Sequence, residues 1–110
     1  MLKKNQKDGL QIENLQAPAF LAKSLSDENR LRILLCISDR KKSVSAIVEE
    51  LQLSQPLISH HLKELKRSLL VKVEREGPFI YYELADKRVI DILMNLDKLA
   101  TDLLTRRKTF

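Results

Sequence analysis

This 110-residue sequence has no tryptophan, one cysteine and two glycines. A single cysteine excludes an internal disulfide and any cysteine-rich zinc site. The sequence also lacks a glycine-rich phosphate loop. Its only two histidines are neighbours, at positions 60 and 61, so no serine or cysteine has a plausible histidine base. These absences argue against an enzyme, and we expect no cofactor and no metal site.

Long apolar runs are also absent. None approaches the length needed to span a bilayer, and the lysine-containing first seven residues are followed by polar residues rather than a signal-peptide core. We therefore expect a cytoplasmic protein without a membrane partner. The length suits one domain with a modest core that is marginal as a monomer. The net charge of +5 and the isoelectric point near 9.5 suggest a polyanionic partner, subject to how the charge is distributed.

The chain is organised around a helix signal between residues 51 and 69. Ser54 can N-cap a helix that begins at about Gln55, and Pro56 suits its first turn. The helical period places apolar side chains on one stripe, at Ile58, Leu62, Leu65 and Leu69. Polar and basic side chains fall on the other side, at Ser59, His60, Lys63 and Arg67. One side is therefore expected to be core, and the other can form hydrogen bonds and carries positive charge.

The neighbouring segments complete a DNA-binding motif. Residues 44–51 have the pattern of a short helix, and three residues separate it from the next one, as in a helix-turn-helix. After Leu69, residues 70–76 and 79–84 have the pattern of two strands joined at a Gly77-Pro78 turn. This hairpin is predicted to be a wing. The fold class is therefore mainly α with a β-hairpin, in the order α-α-α-α-β-β-α.

The motif predicts which residues contact double-stranded DNA. Glutamine can pair with adenine, serine and histidine can bond base edges or phosphates, and lysine and arginine attract phosphates. The predicted contacts are Ser54, Gln55, Pro56, Ser59, His60, Lys63 and Arg67 on the recognition helix, and Lys72 and Arg75 on the wing. The plain alternative is a solvated helix surface. His61, at the edge of the apolar stripe, is expected to be a partly buried structural histidine.

The remaining segments predict a dimer. Residues 1–13 are expected to form a flexible tail, residues 14–105 the domain, and residues 106–110 a basic end. Within the domain, Ser26 is expected to cap a central core helix, residues 39–43 to form a charged loop, and residues 86–105 to form the dimerisation helix. The apolar stripe on the last helix is broader than so small a domain needs, and the first helix should pack beside it. The predicted interface is Leu15, Phe20, Leu21, Val89, Leu93, Leu96, Leu99, Ala100 and Leu103.

Three sequence segments resemble the ArsR/SmtB family of bacterial repressors: SDENRLRIL at 26–34, LSQPLISHHL at 53–62 and REGPFIYYEL at 75–84. The resemblance covers about residues 17–104 and implies a dimeric winged-helix repressor that leaves a pseudo-palindromic operator when an effector binds. Family members that sense thiophilic metals carry Cys-Val-Cys where this sequence has Ser43, Val44 and Ser45. Others use histidines of the last helix, which here has none. Metal sensing at these sites is therefore not expected, and the effector is unknown.

Two alternatives remain open at this stage. Cys36 could serve as a thiol sensor of oxidants, although an inert buried cysteine in an apolar helix is the simpler interpretation. The winged helix could also act as a protein-interaction module instead of binding DNA.

Overall fold

The computed structural model describes residues 11–107. The predicted tail at 1–13 and basic end at 106–110 therefore lie largely outside the described residues. The elements are α1 (Gln16–Ser24), α2 (Glu28–Cys36), β1 (Lys42–Ser43), α3 (Val44–Leu51), α4 (Gln55–Arg67), β2 (Val71–Glu76), β3 (Phe79–Leu84) and α5 (Arg88–Arg107). The predicted order of helices and hairpin is confirmed, and one short strand is added to it.

The added strand corrects the prediction of a charged loop at residues 39–43. β1 pairs antiparallel with β3, in the register of Lys42 with Tyr82, and the sheet order is β1-β3-β2. Lys42 is only 8% exposed. Its side chain can be buried because the ammonium group has acceptors inside the fold, described below, and a paired buried charge is tolerated where an isolated one is not. The wing is therefore anchored to the helical core along one strand.

Two helix starts also differ from the prediction. Asp27, rather than Ser26, is the N-cap of α2, and its Oδ1 accepts a hydrogen bond from the Arg30 backbone N–H at 3.0 Å. Ser26 instead donates through its hydroxyl to the Lys23 carbonyl at the end of α1. The last helix begins at Arg88, whose N–H donates to Asp86 Oδ1 at 2.9 Å. In each case a carboxylate next to the helix start accepts an otherwise unpaired N–H.

Leu69 does not belong to the apolar stripe of α4 as predicted. The helix ends at Arg67, and Leu69 has a left-handed φ of 67° with 78% of its surface exposed. The Leu70 N–H donates to the Leu65 carbonyl and the Leu69 N–H donates to the Lys66 carbonyl, both at 3.0 Å. This is a Schellman ending, with leucine at the position that usually holds glycine.

The core lies where α2, α3 and α4 meet the sheet and the start of α5. Its fully buried side chains are Ile33, Leu34, Ile37, Ile47, Ile58, Leu62 and Leu65. The central position of α2 was predicted, but Leu35 faces outward and is about half exposed. Val89 and Leu93 also pack into this core, with 6% and 7% of their surfaces exposed. Only the first half of α5 is therefore covered by the rest of the chain.

Candidate nucleic-acid interface

The start of α4 is set by local capping. Ser54 has an extended backbone, and its hydroxyl accepts from the Leu57 N–H at 3.4 Å, while Pro56 occupies the first turn. The turn before it depends on Gln52, which has a left-handed φ of 57° and whose side-chain amide donates to the Glu49 carbonyl at 2.7 Å. These contacts hold the two helices of the motif at a short, defined separation.

α4 has one buried side and one exposed side. Ile58, His61, Leu62 and Leu65 are buried, which matches the predicted stripe except at its last position. The nine residues predicted to contact DNA are all exposed: Ser54, Gln55, Pro56, Ser59, His60, Lys63, Arg67, Lys72 and Arg75. The first turn of α4 contains no acidic residue, and its last turn contains Lys66 and Arg67. The structure thus brings the seven helix residues onto one accessible, cationic surface.

His61 is the buried polar residue beneath this surface. It is 5% exposed, its Nε2 lies 3.7 Å from Asp27 Oδ1, and its Nδ1 has no hydrogen-bond partner. Burial lowers the pKa of His61, while the Asp27 carboxylate opposes that shift. The neutral imidazole is therefore the form that the fold favours. His61 has the structural position that the sequence suggested.

The wing presents its two predicted cations on different faces. Lys72 and Arg75 are an odd number of residues apart on β2, so their side chains leave opposite faces of the strand. Both are exposed. They therefore do not form one flat patch, but a wing that enters a groove can contact both of its walls with side chains of this kind.

Sequence reasoning missed the role of Lys41 in the wing. Its ammonium group forms ion pairs with Glu74, at 2.9 Å, and with Glu76, and it lies 5.5 Å from the centre of the Tyr81 ring. Lys41 lowers the pKa of Glu74 through this hydrogen bond. Glu74 and Glu76, which would otherwise weaken the positive charge of the wing, are thus paired with a cation from outside the hairpin. Lys41 directly precedes β1, so its position beside the wing follows from the pairing of β1 with β3, which no local sequence pattern shows.

An apolar surface extends over α1 and the second half of α5. Of the predicted interface residues, seven are exposed: Leu15, Phe20, Leu21, Leu96, Leu99, Ala100 and Leu103. The other two, Val89 and Leu93, belong to the core of the chain and have little surface left for a partner. Ile92 and Leu104, which lie beside this stripe by helical period, are also exposed, as are Leu35 and Met94 elsewhere on α2 and α5. Monomeric proteins rarely expose this much contiguous apolar surface, so the α1/α5 surface indicates a partner.

A family model for the bacterial regulatory proteins of the arsR family matches residues 27–73, from the start of α2 into β2. An uncharacterised HTH-type transcriptional regulator of Methanocaldococcus jannaschii is 36% identical over 80% of this chain and the whole of its own length. The chain belongs to the ArsR family. It is therefore a winged helix-turn-helix regulator of transcription and not an enzyme.

Two further comparisons place this ArsR-family protein. The arsenical resistance operon repressor of Staphylococcus aureus is 36% identical, over 74% of this chain and 78% of its own. A solved structure from Mycobacterium bovis, described as a homodimeric winged helix-turn-helix DNA-binding domain, superposes with a TM-score of 0.73 at 28% identity. It covers 84% of this chain and 85% of that one. Within residues 11–107, no helix is both long and apolar enough to cross a membrane.

The positions of the familiar metal sites have other uses in this ArsR-family protein. Ser43 caps α3, because its hydroxyl accepts from the Ala46 N–H at 3.2 Å. Ser45 is exposed, and α5 contains neither histidine nor cysteine. Hydroxyl groups are poor substitutes for thiolate or imidazole ligands of a transition metal. In the part of the chain that the structure describes, no three His, Cys, Asp or Glu side chains are grouped to hold a metal ion.

Cys36 lies beside the buried ammonium group of Lys42. The Lys42 Nζ donates to the Cys36 carbonyl and to Glu50 Oε1, at 2.9 Å, and lies 3.7 Å from the Cys36 sulfur. Cys36 is 6% exposed, and burial raises the pKa of its thiol, although Lys42 opposes the shift. A buried thiol with a raised pKa has little of the reactive thiolate at neutral pH.

Proposed function

We propose that this protein is a sequence-specific transcriptional repressor that acts as a homodimer on a pseudo-palindromic operator, without using the familiar metal sites of its family. The observation that carries the proposal is the N-terminal half of α4, where polar side chains project from a helix whose opposite side is fully buried. A recognition helix reads bases through this half, because it is the end that enters the major groove.

The side chains of this half suit direct readout. Gln55, in the first turn, can form a bidentate pair with the N6 and N7 atoms of adenine. Ser59 and His60, one turn further along, can bond base edges or phosphates. Lys63 adds a phosphate contact. The rigid attachment of α4 to the core through Ile58 and Leu62 presents these groups in one fixed orientation.

Phosphate contacts at the edges of the site would set the register. Arg67 ends α4, and Lys72 and Arg75 lie on the wing, where Lys41 pairs with the neighbouring carboxylates. Ser54 and Pro56 hold the start of the helix. Contacts of these cations with the DNA phosphates position the protein on the duplex without reading its sequence.

The α1/α5 surface supports a homodimer, and the Mycobacterium bovis relative is described as homodimeric. A two-fold dimer presents two recognition helices to half-sites about 34–36 Å apart, so its operator is expected to be pseudo-palindromic. Ser43 and Ser45 offer hydroxyl groups where metal-sensing family members have thiolates. This supports release of the protein from DNA by something other than a metal bound at the start of α3. The burial of Cys36 argues against an oxidant acting on this thiol.

The test is the affinity of the purified protein for its own upstream promoter DNA, measured by fluorescence anisotropy over a series of salt concentrations. Lys63→Ala and Arg75→Ala should each weaken binding to all sequences and reduce the slope of log affinity against log salt by about one, because each removes one phosphate contact. Gln55→Ala should relax base preference at one position of each half-site by about 1–3 kcal/mol.

Lys98→Ala is the matched control, because it removes the same charge from an exposed position on α5 outside α4 and the wing. It should leave the salt slope unchanged. If all three α4 and wing variants bind as the wild type does, α4 is not a recognition helix and a protein-interaction role replaces DNA binding. If the protein binds the promoter but raises transcription, it is an activator.

A further inference from the structure

A basic cleft of about 260 Å³ lies where the end of α1, the first turn of α2 and the end of α4 meet. Each helix contributes one cationic side chain: Lys23 from α1, Arg30 from α2 and Arg67 from α4. Glu64 is the one carboxylate in the lining. The cleft is distinct from the groove-reading half of α4, since it lies at the opposite end of that helix.

The cations of this cleft are only partly paired. The Arg30 Nε donates to the Ser24 carbonyl at 2.8 Å, which holds the guanidinium group in place and leaves its terminal nitrogens for another acceptor. Arg67 lies 3.4 Å from Glu64. Among the described residues, no carboxylate forms an ion pair with Lys23 or Arg30. Three cations around one cleft repel each other, and an anion between them would relieve that repulsion.

The hydroxyl groups in the lining connect the helices. The Ser68 hydroxyl donates to the Leu65 carbonyl at 3.1 Å, so in the 2.8 Å bond between Ser24 and Ser68 it is Ser24 that donates. Both hydroxyl hydrogens are thus used within the fold, and the cationic side chains are the groups left to bind an anion. The same serine pair couples the end of α1 directly to the end of α4.

We propose that this cleft binds the phosphate group of a small phosphate monoester, between Lys23, Arg30 and Arg67. A phosphate dianion with three acceptor oxygens suits a cleft that three helices line with cationic donors, and arginine binds it with a matching fork of N–H groups. The cleft is smaller than a typical drug-sized pocket, so the ligand is small. Phe20 also lies in the lining, but it belongs to the α1/α5 surface that a partner would cover, so the three cations carry the binding.

Ligand binding would lower DNA affinity, a consequence that rests on the proposed function. Arg67 is shared, because the ligand phosphate and the DNA backbone would compete for its guanidinium group. Coupling between two binding sites is reciprocal, so DNA and ligand weaken each other by the same factor.

The first experiment is calorimetric titration of the purified full chain, without DNA, with phenyl phosphate, inorganic phosphate and benzoate at one ionic strength. Phenyl phosphate should bind saturably with a Kd below about 1 mM, as expected for a few charge-assisted hydrogen bonds. Inorganic phosphate offers the same anionic group and should bind with a Kd within about tenfold of that value. Absence of saturable binding by phenyl phosphate overturns the proposal, and equal binding by benzoate overturns the assignment to phosphate.

Two variants and one control locate the site. Arg30→Gln should raise the Kd for phenyl phosphate by about tenfold or more, because a charge-assisted hydrogen bond is lost. Lys23→Gln should also raise it, and this exposed residue can change without disturbing the fold. Lys87→Gln removes the same charge from an exposed position outside the cleft and should have no effect. Equal losses in all three variants would mean non-specific attraction and would overturn the site.

The coupling is tested separately by anisotropy with promoter DNA at constant ionic strength, since DNA affinity depends strongly on salt. Phenyl phosphate should weaken DNA binding by the wild type and much less by Lys23→Gln. Ligand binding without this effect overturns the regulatory role and leaves the site intact. Ligand binding by a protein that fails to bind DNA at all would contradict the proposed function and not the cleft.

Discussion

Leu69 adopts a backbone conformation that its side chain disfavours. Its φ of 67° places Cβ close to the following carbonyl, and its exposed side chain makes few contacts within the chain to offset that cost. Leu69→Gly should raise the free energy of unfolding by about 0.5–1 kcal/mol, because the relief exceeds the entropy that glycine adds to the unfolded chain. Urea unfolding at fixed protein concentration measures it.

Ala85→Gly is the control for this substitution, since Ala85 is exposed and does not have a positive φ. It should lower the free energy of unfolding. A loss of stability in Leu69→Gly similar to that in Ala85→Gly would mean that the leucine side chain stabilises the molecule through contacts, for example at an interface, by more than its backbone strain costs.

His61 predicts a pH dependence of stability. Burial lowers its pKa in the folded state, so the unfolded state binds the proton more readily. The contribution of His61 to the free energy of unfolding should be complete above the unfolded-state pKa of about 6.5. It should decrease as the pH drops below that value, by at most about 1.4 kcal/mol per pH unit for one proton. Urea unfolding between pH 5 and 8 should show this fall in the wild type and not in His61→Phe.

His60→Phe is the matched control, because His60 is the exposed neighbour on the same helix, and it should keep the fall. Asp27 contributes in a different window. The backbone N–H of Arg30 lowers its carboxyl pKa, so its contribution is lost only as the pH drops below about 4. A wild-type curve that is flat between pH 7 and 5 would contradict the assignment of a buried, neutral His61.

At the scale of the element, Lys41 predicts a link between β1 and the DNA affinity of the wing. Its ion pairs with Glu74 and Glu76 are solvent-exposed, so they should add little to stability. Lys41→Gln should nevertheless weaken promoter binding by about threefold to tenfold, because two unneutralised carboxylates would then face the phosphates. Fluorescence anisotropy measures the affinity, and a thermal melt checks that the fold is retained.

The double variant Lys41→Gln/Glu76→Gln tests the electrostatic cause, since it removes one of the exposed carboxylates together with the ammonium group. Its affinity should recover most of the loss. If Lys41→Gln binds DNA as tightly as the wild type, Glu74 and Glu76 do not approach the DNA phosphates.

Elements with local signals could be predicted from the sequence, and those that depend on distant partners could not. Ser54 with Pro56 specified the start of α4, and the Gly77-Pro78 pair specified the hairpin turn, because capping and turn formation involve neighbouring residues. β1 is only two residues long and exists because of pairing with β3, about 40 residues away. The burial of Lys42 follows from that pairing, so a run of charged residues was interpreted as a loop.

The candidate site shows the same division. The exposed side of α4 followed from a helical period of apolar residues, which is a local property. The division of α5 between core and surface did not, because Val89 and Leu99 lie on the same stripe by period. Their different burial depends on where α5 crosses α2, and a tertiary crossing leaves no trace in the period. The end of α4 was misplaced because leucine at position 69 carries no signal for a left-handed residue.

At the scale of the whole molecule, the shape of the chain indicates that it does not stand alone. Its radius of gyration is 17.3 Å, against about 13 Å for a compact domain of 100 residues. α5 is 20 residues long, or about 30 Å, and only its first half is covered by the chain. The uncovered half carries the apolar residues of the α1/α5 surface, and a two-fold partner would bury them against their counterparts.

Leu99→Glu tests this arrangement, because it places a charge in the middle of the α1/α5 surface without touching the core. Sedimentation velocity should find the wild type at twice the chain mass of 12.8 kDa and the variant at the single mass. Promoter affinity should fall by at least about tenfold, because two tethered recognition helices bind far more tightly than one. Thr101→Glu adds the same charge about 200° around α5 and should remain dimeric with wild-type affinity.

A Leu99→Glu protein that stays dimeric would mean that the dimer interface lies elsewhere. If Leu99→Glu becomes monomeric and its affinity is unchanged, a single winged helix recognises the promoter. The prediction of a pseudo-palindromic operator would then be wrong.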